Sequence, residues 1–129
     1  MIVDASAILA VLFDEPEKAG FRDLLLMTPE LVMSPVNYLE ASIRADDRRH
    51  PAKGPQLDAL LTGFGIQIVA VTEDQARHAR EAYRRYGRGN HPARLNLGDC
   101  FAYALAKARG EPLLFKGGDF SRTDVEAAI

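Results

Sequence analysis

The chain is expected to fold as a three-layer α/β sandwich, with a central, mostly parallel sheet of about four to five strands flanked by helices. Two observations predict this. Short apolar runs recur at residues 1–4, 31–33, 66–71 and 113–115. Helix-period segments separate every neighbouring pair of those runs, and strands joined by helical crossovers form parallel sheets with helices on both faces. At 129 residues the chain is long enough for one well-formed core, so a single domain over residues 1–129 is expected.

Taken in order, Met1-Ile2-Val3-Asp4 reads as the first strand and residues 6–13 as a helix. Asp14 to Glu17 is a break, with Pro16 placed in the first turn of a second helix that reaches about Met27. Leu31-Val32-Met33 is a short strand. Ser34 and Pro35 read as an N-cap and a first-turn proline, and the helix they start runs to about Arg49. Its apolar stripe is expected at Val36, Leu39 and Ile43, with Glu40 beside it. Residues 51–55 form a Pro- and Gly-containing linker, and residues 56–64 another helix. Residues 66–71 are rich in β-branched side chains and form the third strand. Thr72 to Gln75 fits a capping box that opens an arginine-bearing helix. Residues 87–96 are a polar loop. Leu97 to Arg109 is an alanine-rich helix stopped by Gly110 and Pro112. Leu113-Leu114-Phe115 is the last strand.

Composition excludes several classes. Hydrophobic residues make up 47% and charged ones 26%, as in ordinary globular proteins. No apolar run approaches the ~20 residues of a membrane span. The start of the chain lacks the basic region of a secretory leader. The single Cys100 has no intramolecular disulfide partner, and a cytoplasmic location is expected. The net charge of −2 excludes a uniformly basic nucleic-acid binder. The basic residues are nevertheless clustered. Arg77, Arg80, Arg84, Arg85, Arg88 and Arg94 stand together with only Glu81 for balance, and Arg44, Arg48, Arg49, His50 and Lys53 form a second group. Either group reads as a solvated helix face or as a track for a phosphate backbone.

The acids carry the chemical signal. Asp4, Glu40, Asp99 and Asp119 each lie at or just after a strand end or a helix start, and a parallel sheet gathers those ends at one edge. Each also has a plainer role. Asp99 serves a helix dipole, Asp119 a turn, and Glu40 reaches solvent. Asp4 is the hardest to explain without a partner, because its strand should be central and buried. Ser6 is expected to cap the first helix, with orientation of Asp4 as its second role. Four converging carboxylates repel unless a cation joins them, and Mg²⁺ or Mn²⁺ suits oxygen ligands while keeping waters for chemistry. Such ions serve phosphodiester hydrolysis. The three histidines lack zinc-ligand spacing. There is no phosphate-binding glycine loop, nucleophile elbow or dinucleotide fingerprint.

Four segments in order resemble the PIN-domain ribonucleases, and more closely the VapC-type toxins of bacterial type II toxin–antitoxin pairs. They are Met-Ile-Val-Asp-Ala-Ser-Ala at residues 1–7, Asn-Tyr-Leu-Glu-Ala at 37–41, Leu-Asn-Leu-Gly-Asp-Cys-Phe-Ala-Tyr-Ala at 95–104, and Leu-Leu-Phe-Lys-Gly-Gly-Asp-Phe at 113–120. The resemblance covers essentially the whole chain and implies a PIN-like sandwich. It implies Asp4, Glu40, Asp99 and Asp119 as acidic metal-site residues, with Ser6 and Asn96 in support. It also implies a Mg²⁺- or Mn²⁺-dependent endoribonuclease acting on structured RNA such as tRNA, a homodimer, and a cognate VapB-type antitoxin that blocks the site in a heterotetramer or larger complex. Arg84, Arg85, Arg88 and Arg94 are the candidate RNA contacts. The apolar surface of residues 8–13 and 21–26 offers a place for the antitoxin. Gly118 departs from the family pattern, where an acid or amide is common, and leaves Asp119 to serve that corner of the metal site. Two other readings stand beside this one. One is a different phosphotransfer enzyme on a similar sheet, disfavoured because Ser6 stands where a second acid is usual. The other is a non-catalytic PIN-like binding module, which would be expected to have lost acids.

Overall fold

The computed structural model describes residues 1–129. Four parallel strands form one sheet in the order β3-β2-β1-β4. They are β1 (Ile2–Val3), β2 (Leu31–Met33), β3 (Ile66–Ile68) and β4 (Leu113–Leu114). The helices are α1 (Ala5–Leu12), α2 (Lys18–Met27), α3 (Pro35–Ala45), α4 (Lys53–Phe64), α5 (Glu73–Tyr86) and α6 (Leu97–Arg109). A 3₁₀ turn follows at Phe120–Arg122. The expected α/β architecture and its sheet of parallel strands are present.

Strand alternation sorts the core into two layers. Val3, Leu31, Met33 and Leu114 face α1 to α4 with Ile8, Leu25 and Leu57. Ile2, Val32 and Leu113 face α5 and α6 with Leu95, Tyr103 and Leu105. The chain leaves β1 toward β2 and later returns to its other side as β4. β1 is therefore the switch point of the sheet, where α/β folds open a crevice beyond the strand ends. The outer edge of β4 is covered by the C-terminal segment. Leu113 N donates to Glu126 O and Ala128 N donates to Leu113 O, each at 2.9 Å. Tyr103 Oη, donating to Asp124 Oδ1 at 2.5 Å, anchors that segment to α6.

Several boundaries differ from the sequence-based expectation. Pro16 precedes α2, which begins at Lys18. α3 stops at Ala45, and the basic residues after it lie in turns. α4 starts at Lys53 with Pro55 inside its first turn. β3 ends at Ile68 because its only neighbour, β2, ends at Met33. Thr72 caps α5 by accepting from Gln75 N at 3.1 Å. The apolar stripe expected on α3 is wrong in its face. Leu39 and Ile43 are 58% and 66% exposed, and α3 buries Asn37, Ala41 and Ala45 instead. Small residues let α3 approach its neighbours closely, and that selects the face over side-chain size.

Candidate active site

Asp4 follows β1 directly and is only 3% exposed. Its backbone N–H still donates to Leu114 O at 2.9 Å, so the residue stays in the ladder with β4. Asp4 itself is the N-cap of α1. Its Oδ2 accepts from Ser6 N at 3.0 Å and from Ser6 Oγ at 2.5 Å. The expected order of roles for Ser6 is thus reversed. An aspartate at the cap position already supplies the acceptor, and the serine hydroxyl orients it. Ser6 Oγ also accepts from Lys116 N at 2.9 Å, tying the exit of β4 to the Asp4 carboxylate.

Asp99 sits at N3 of α6 in a complete capping box. Asn96 Oδ1 accepts from Asp99 N at 2.8 Å, and Asp99 Oδ2 accepts from Asn96 N at 3.0 Å. One carboxylate oxygen holds the helix start and the other is left for the cleft. Glu40 reaches in from α3. Its carboxylate lies against Gly98, where a Cβ would collide with it.

These three acids line one cleft of about 410 Å³ with Ser6, Asn96, Glu15, Arg44 and Lys116. Asp119 does not line the cleft. It is exposed just before the 3₁₀ turn, yet close enough for its charge to disfavour ionisation of Asp99. The structure therefore brings three of the four acids into one cleft and leaves the fourth on its rim.

Burial is the main force on their protonation. It raises the Asp4 carboxyl above its ordinary range despite the Ser6 hydrogen bonds. It raises Glu40, with Asp4 adding repulsion. It pushes Asp99 up to about 7, with further repulsion from Asp4, Glu40 and Asp119 opposing the Asn96 N–H bond. This is a set of carboxylates short of positive charge. No three of them are gathered tightly enough to grip an ion in the present rotamers. The donor chemistry nevertheless fits a hard divalent cation, which takes carboxylate and water oxygens.

Asn37 and Lys116 had no sequence signal of their own, whereas Arg44 belongs to the second basic group of the sequence. Asn37 is fully buried, and its Nδ2 faces Asp4 Oδ1 at 3.4 Å, Glu40 Oε1 at 3.4 Å and Gly98 O at 3.0 Å. Arg44 and Lys116 are the cations of the cleft, and Lys116 pairs with Glu15 and Glu17. The predicted Arg84, Arg85, Arg88 and Arg94 are exposed and outside it. Arg84 pairs with Glu81 at 3.5 Å, and Arg85 stacks on Tyr86 with its guanidinium 4.8 Å from the ring centre. Gly87 and Leu95 form a bridge that brings the end of α5 beside the start of α6, so these arginines flank the element that carries Asp99.

The model of the PIN domain family matches residues 1–126. A Mycobacterium tuberculosis protein named Ribonuclease VapC42 is 49% identical over 129 residues, covering 99% of this chain and 98% of its own. A Mycolicibacterium smegmatis protein named Ribonuclease VapC is 48% identical, with 98% of each chain covered. The chain belongs to the VapC branch of the PIN-domain family. Solved VapC structures share the fold at low identity. Mycobacterium tuberculosis VapC20, described as a Sarcin-Ricin loop cleaving toxin, matches with a TM-score of 0.77 and 17% identity over 96% of this chain and 95% of that one. VapBC2 from Rickettsia felis, bound to a promoter DNA fragment, matches with a TM-score of 0.75 and 12% identity over 98% and 94%. The VapC relatives span nearly the same length as this chain, so the acidic cleft lies within the region they share.

Proposed function

We propose that this cleft is the active site of a Mg²⁺- or Mn²⁺-dependent endoribonuclease that hydrolyses phosphodiester bonds in structured RNA, tRNA included, and so inhibits translation and growth. The observation that carries this reading is the gathering of Asp4, Glu40 and Asp99 from three separate elements around one cleft, with proton affinities raised by burial. The ribonuclease names of the full-length relatives support RNA as the polymer. Asp4, Glu40 and Asp99 would hold the ion, and Asp119 would join from the rim. When bound, such an ion polarises a phosphoryl oxygen and lowers the pKa of a coordinated water.

The chain's own residues do the positioning. Ser6 occupies Asp4 Oδ2 and leaves Oδ1 toward the other acids. Asn96 fixes one oxygen of Asp99 in the same way. Arg44 and Lys116 offer positive charge to a backbone phosphate entering the cleft. Arg84, Arg85, Arg88 and Arg94 extend the positive surface for a longer RNA.

A VapB-type antitoxin is the proposed partner. The Rickettsia felis structure and a Klebsiella pneumoniae structure, the latter at a TM-score of 0.69, are both toxin–antitoxin assemblies by description. Ile8, Phe21 and Leu25 of the apolar surface expected for a partner are core residues instead, but a groove of about 500 Å³ between α1, α2 and α4 has an apolar floor of Val11, Leu12, Leu60 and Phe64. Lys18, Arg22 and Lys53 rim it with a single acid, Asp14, which pairs with Lys18. That lining suits an amphipathic helix with acidic side chains. Exposed Leu39, Ile43 and Leu97 are apolar surface for a homodimer, and with the antitoxin for a heterotetramer or larger assembly. No helix is long and apolar enough to cross a membrane, and a cytoplasmic site of action is proposed.

The test is cleavage of end-labelled RNA by the purified chain with Mg²⁺ or Mn²⁺ and with EDTA. Asp4→Asn or Asp99→Asn should lower the metal-dependent rate by more than about 100-fold while the fold survives, since losing a ligand should exceed the 10–100-fold cost of losing an outer partner. Undiminished cleavage by either variant would overturn the assignment.

A further inference from the structure

Resting on the metal site proposed above, we infer that Asn37 is a positioning residue for that site, the neutral donor that holds Asp4 and Glu40 in register before an ion arrives. Asn37 is 0% exposed, in the first turn of α3, where the other buried side chains of the helix are alanines. An amide at such a place needs partners. Its Nδ2 carries two hydrogens and faces three acceptors from three elements: Asp4 Oδ1 at the end of β1, Glu40 Oε1 one turn along α3, and Gly98 O in the first turn of α6. Its Oδ1 is buried with no hydrogen-bond partner at all.

A buried amide serving structure alone would be expected to satisfy both ends. Here the donor end is oversubscribed and aimed at the acids, while the acceptor end is left bare, which is costly. The contact with Gly98 O fixes the α3 side of the site against the α6 side. The two longer contacts bring Asp4 Oδ1 and Glu40 Oε1 to the same amide nitrogen. Ser6 holds the other oxygen of Asp4. Asp4 is thereby fixed from both sides, by a hydroxyl on Oδ2 and an amide on Oδ1. Outer partners of this kind orient metal ligands, and their loss costs about 10–100-fold in affinity.

The experiment measures Mn²⁺ binding to the whole chain by calorimetry, beside thermal melting in EDTA and in Mn²⁺. Asn37→Leu keeps the approximate shape and removes the donor and the bare oxygen together. Expected is Mn²⁺ affinity about 10–100-fold below that of the wild type, a cooperative melt in EDTA, and a smaller rise in melting temperature on adding Mn²⁺. If Asn37→Leu does not melt cooperatively, Asn37→Ala carries the same expectation. A variant that melts cooperatively and binds Mn²⁺ as tightly as the wild type overturns the role of Asn37 alone, and a lowered melt in EDTA with unchanged affinity assigns it to packing. A wild-type chain that binds no Mn²⁺ overturns the metal site itself, and the role of Asn37 with it.

Discussion

A side chain at position 98 would collide with both carboxylate oxygens of Glu40, so only glycine lets the start of α6 lie against the acid of α3. The obstacle is the far end of a flexible side chain, which moves easily, and alanine is the better helix former by up to about 1 kcal/mol. Gly98→Ala should therefore melt at the same or a higher temperature than the wild type in EDTA, yet cleave RNA at least about 10-fold more slowly, because Glu40 is pushed out of place as the loss of an outer partner would allow. Paired melting and cleavage assays check both halves. Asp99 supports a second expectation. Its proton affinity is raised in the folded chain to about 7, from an ordinary value of 3.8. Between those values the folded state binds more protons than the unfolded one, so stability contributed by this group falls as pH rises through that window. Melts in EDTA should drop from pH 5 toward pH 8. Asp99→Asn should flatten that drop, and saturating Mn²⁺ should reverse it by supplying the missing positive charge.

At the scale of elements, the start of α6 and the end of α5 act as a unit, because Gly87 bridges to Leu95 immediately before the Asn96 cap. That places the exposed arginines beside the helix that carries Asp99 but outside the cleft. Arg88→Ala with Arg94→Ala should weaken RNA binding by the inactive Asp99→Asn chain, and the same pair made in the chain that keeps Asp99 should leave Mn²⁺ affinity unchanged. The salt slope of RNA binding should shrink by about one for each phosphate that is no longer neutralised, and a titration between 50 and 200 mM salt checks it. An unchanged slope would place the RNA elsewhere. Helix α3 shows where patterning misleads. Leu39 and Ile43 have the right spacing for a buried stripe, but the helix packs through Ala41 and Ala45. Periodicity locates a face only when the large residues are the ones that fit it.

For the whole molecule, the parts legible in advance were those written locally. Apolar runs separated by helical segments announced a parallel sheet. A carboxylate ending the first run announced the crevice. Asn96 and Asp99 announced a helix start by their spacing alone. What was not legible depended on contacts across the chain. Nothing in its own segment marks Asn37, whose partners Asp4 and Gly98 come from distant parts of the chain. Arg44 is legible as part of a basic group, but only the fold sets it beside Lys116 in the cleft. Asp119 follows β4, which predicts a place with the other acids, but the loop after β4, turning at Gly117 with φ 100°, carries it to the rim.

The last residues guard an edge of the sheet. The bonds from Glu126 and Ala128 to Leu113, and the Tyr103–Asp124 anchor, make the final stretch a seal on the strand beside Asp4's own. The outer edge of β3, by contrast, has no such cover but spans only three residues. A protease that clipped ahead of Asp124 would unmask a second raw edge, next to the strand that feeds the cleft, while leaving Asp4, Glu40, Asp99 and Asp119 in place. A chain ending at Thr123 should scatter light at concentrations where the intact chain stays clear, and should lose cleavage as it aggregates. The tail then offers a route to silencing the protein that needs neither metal removal nor a partner.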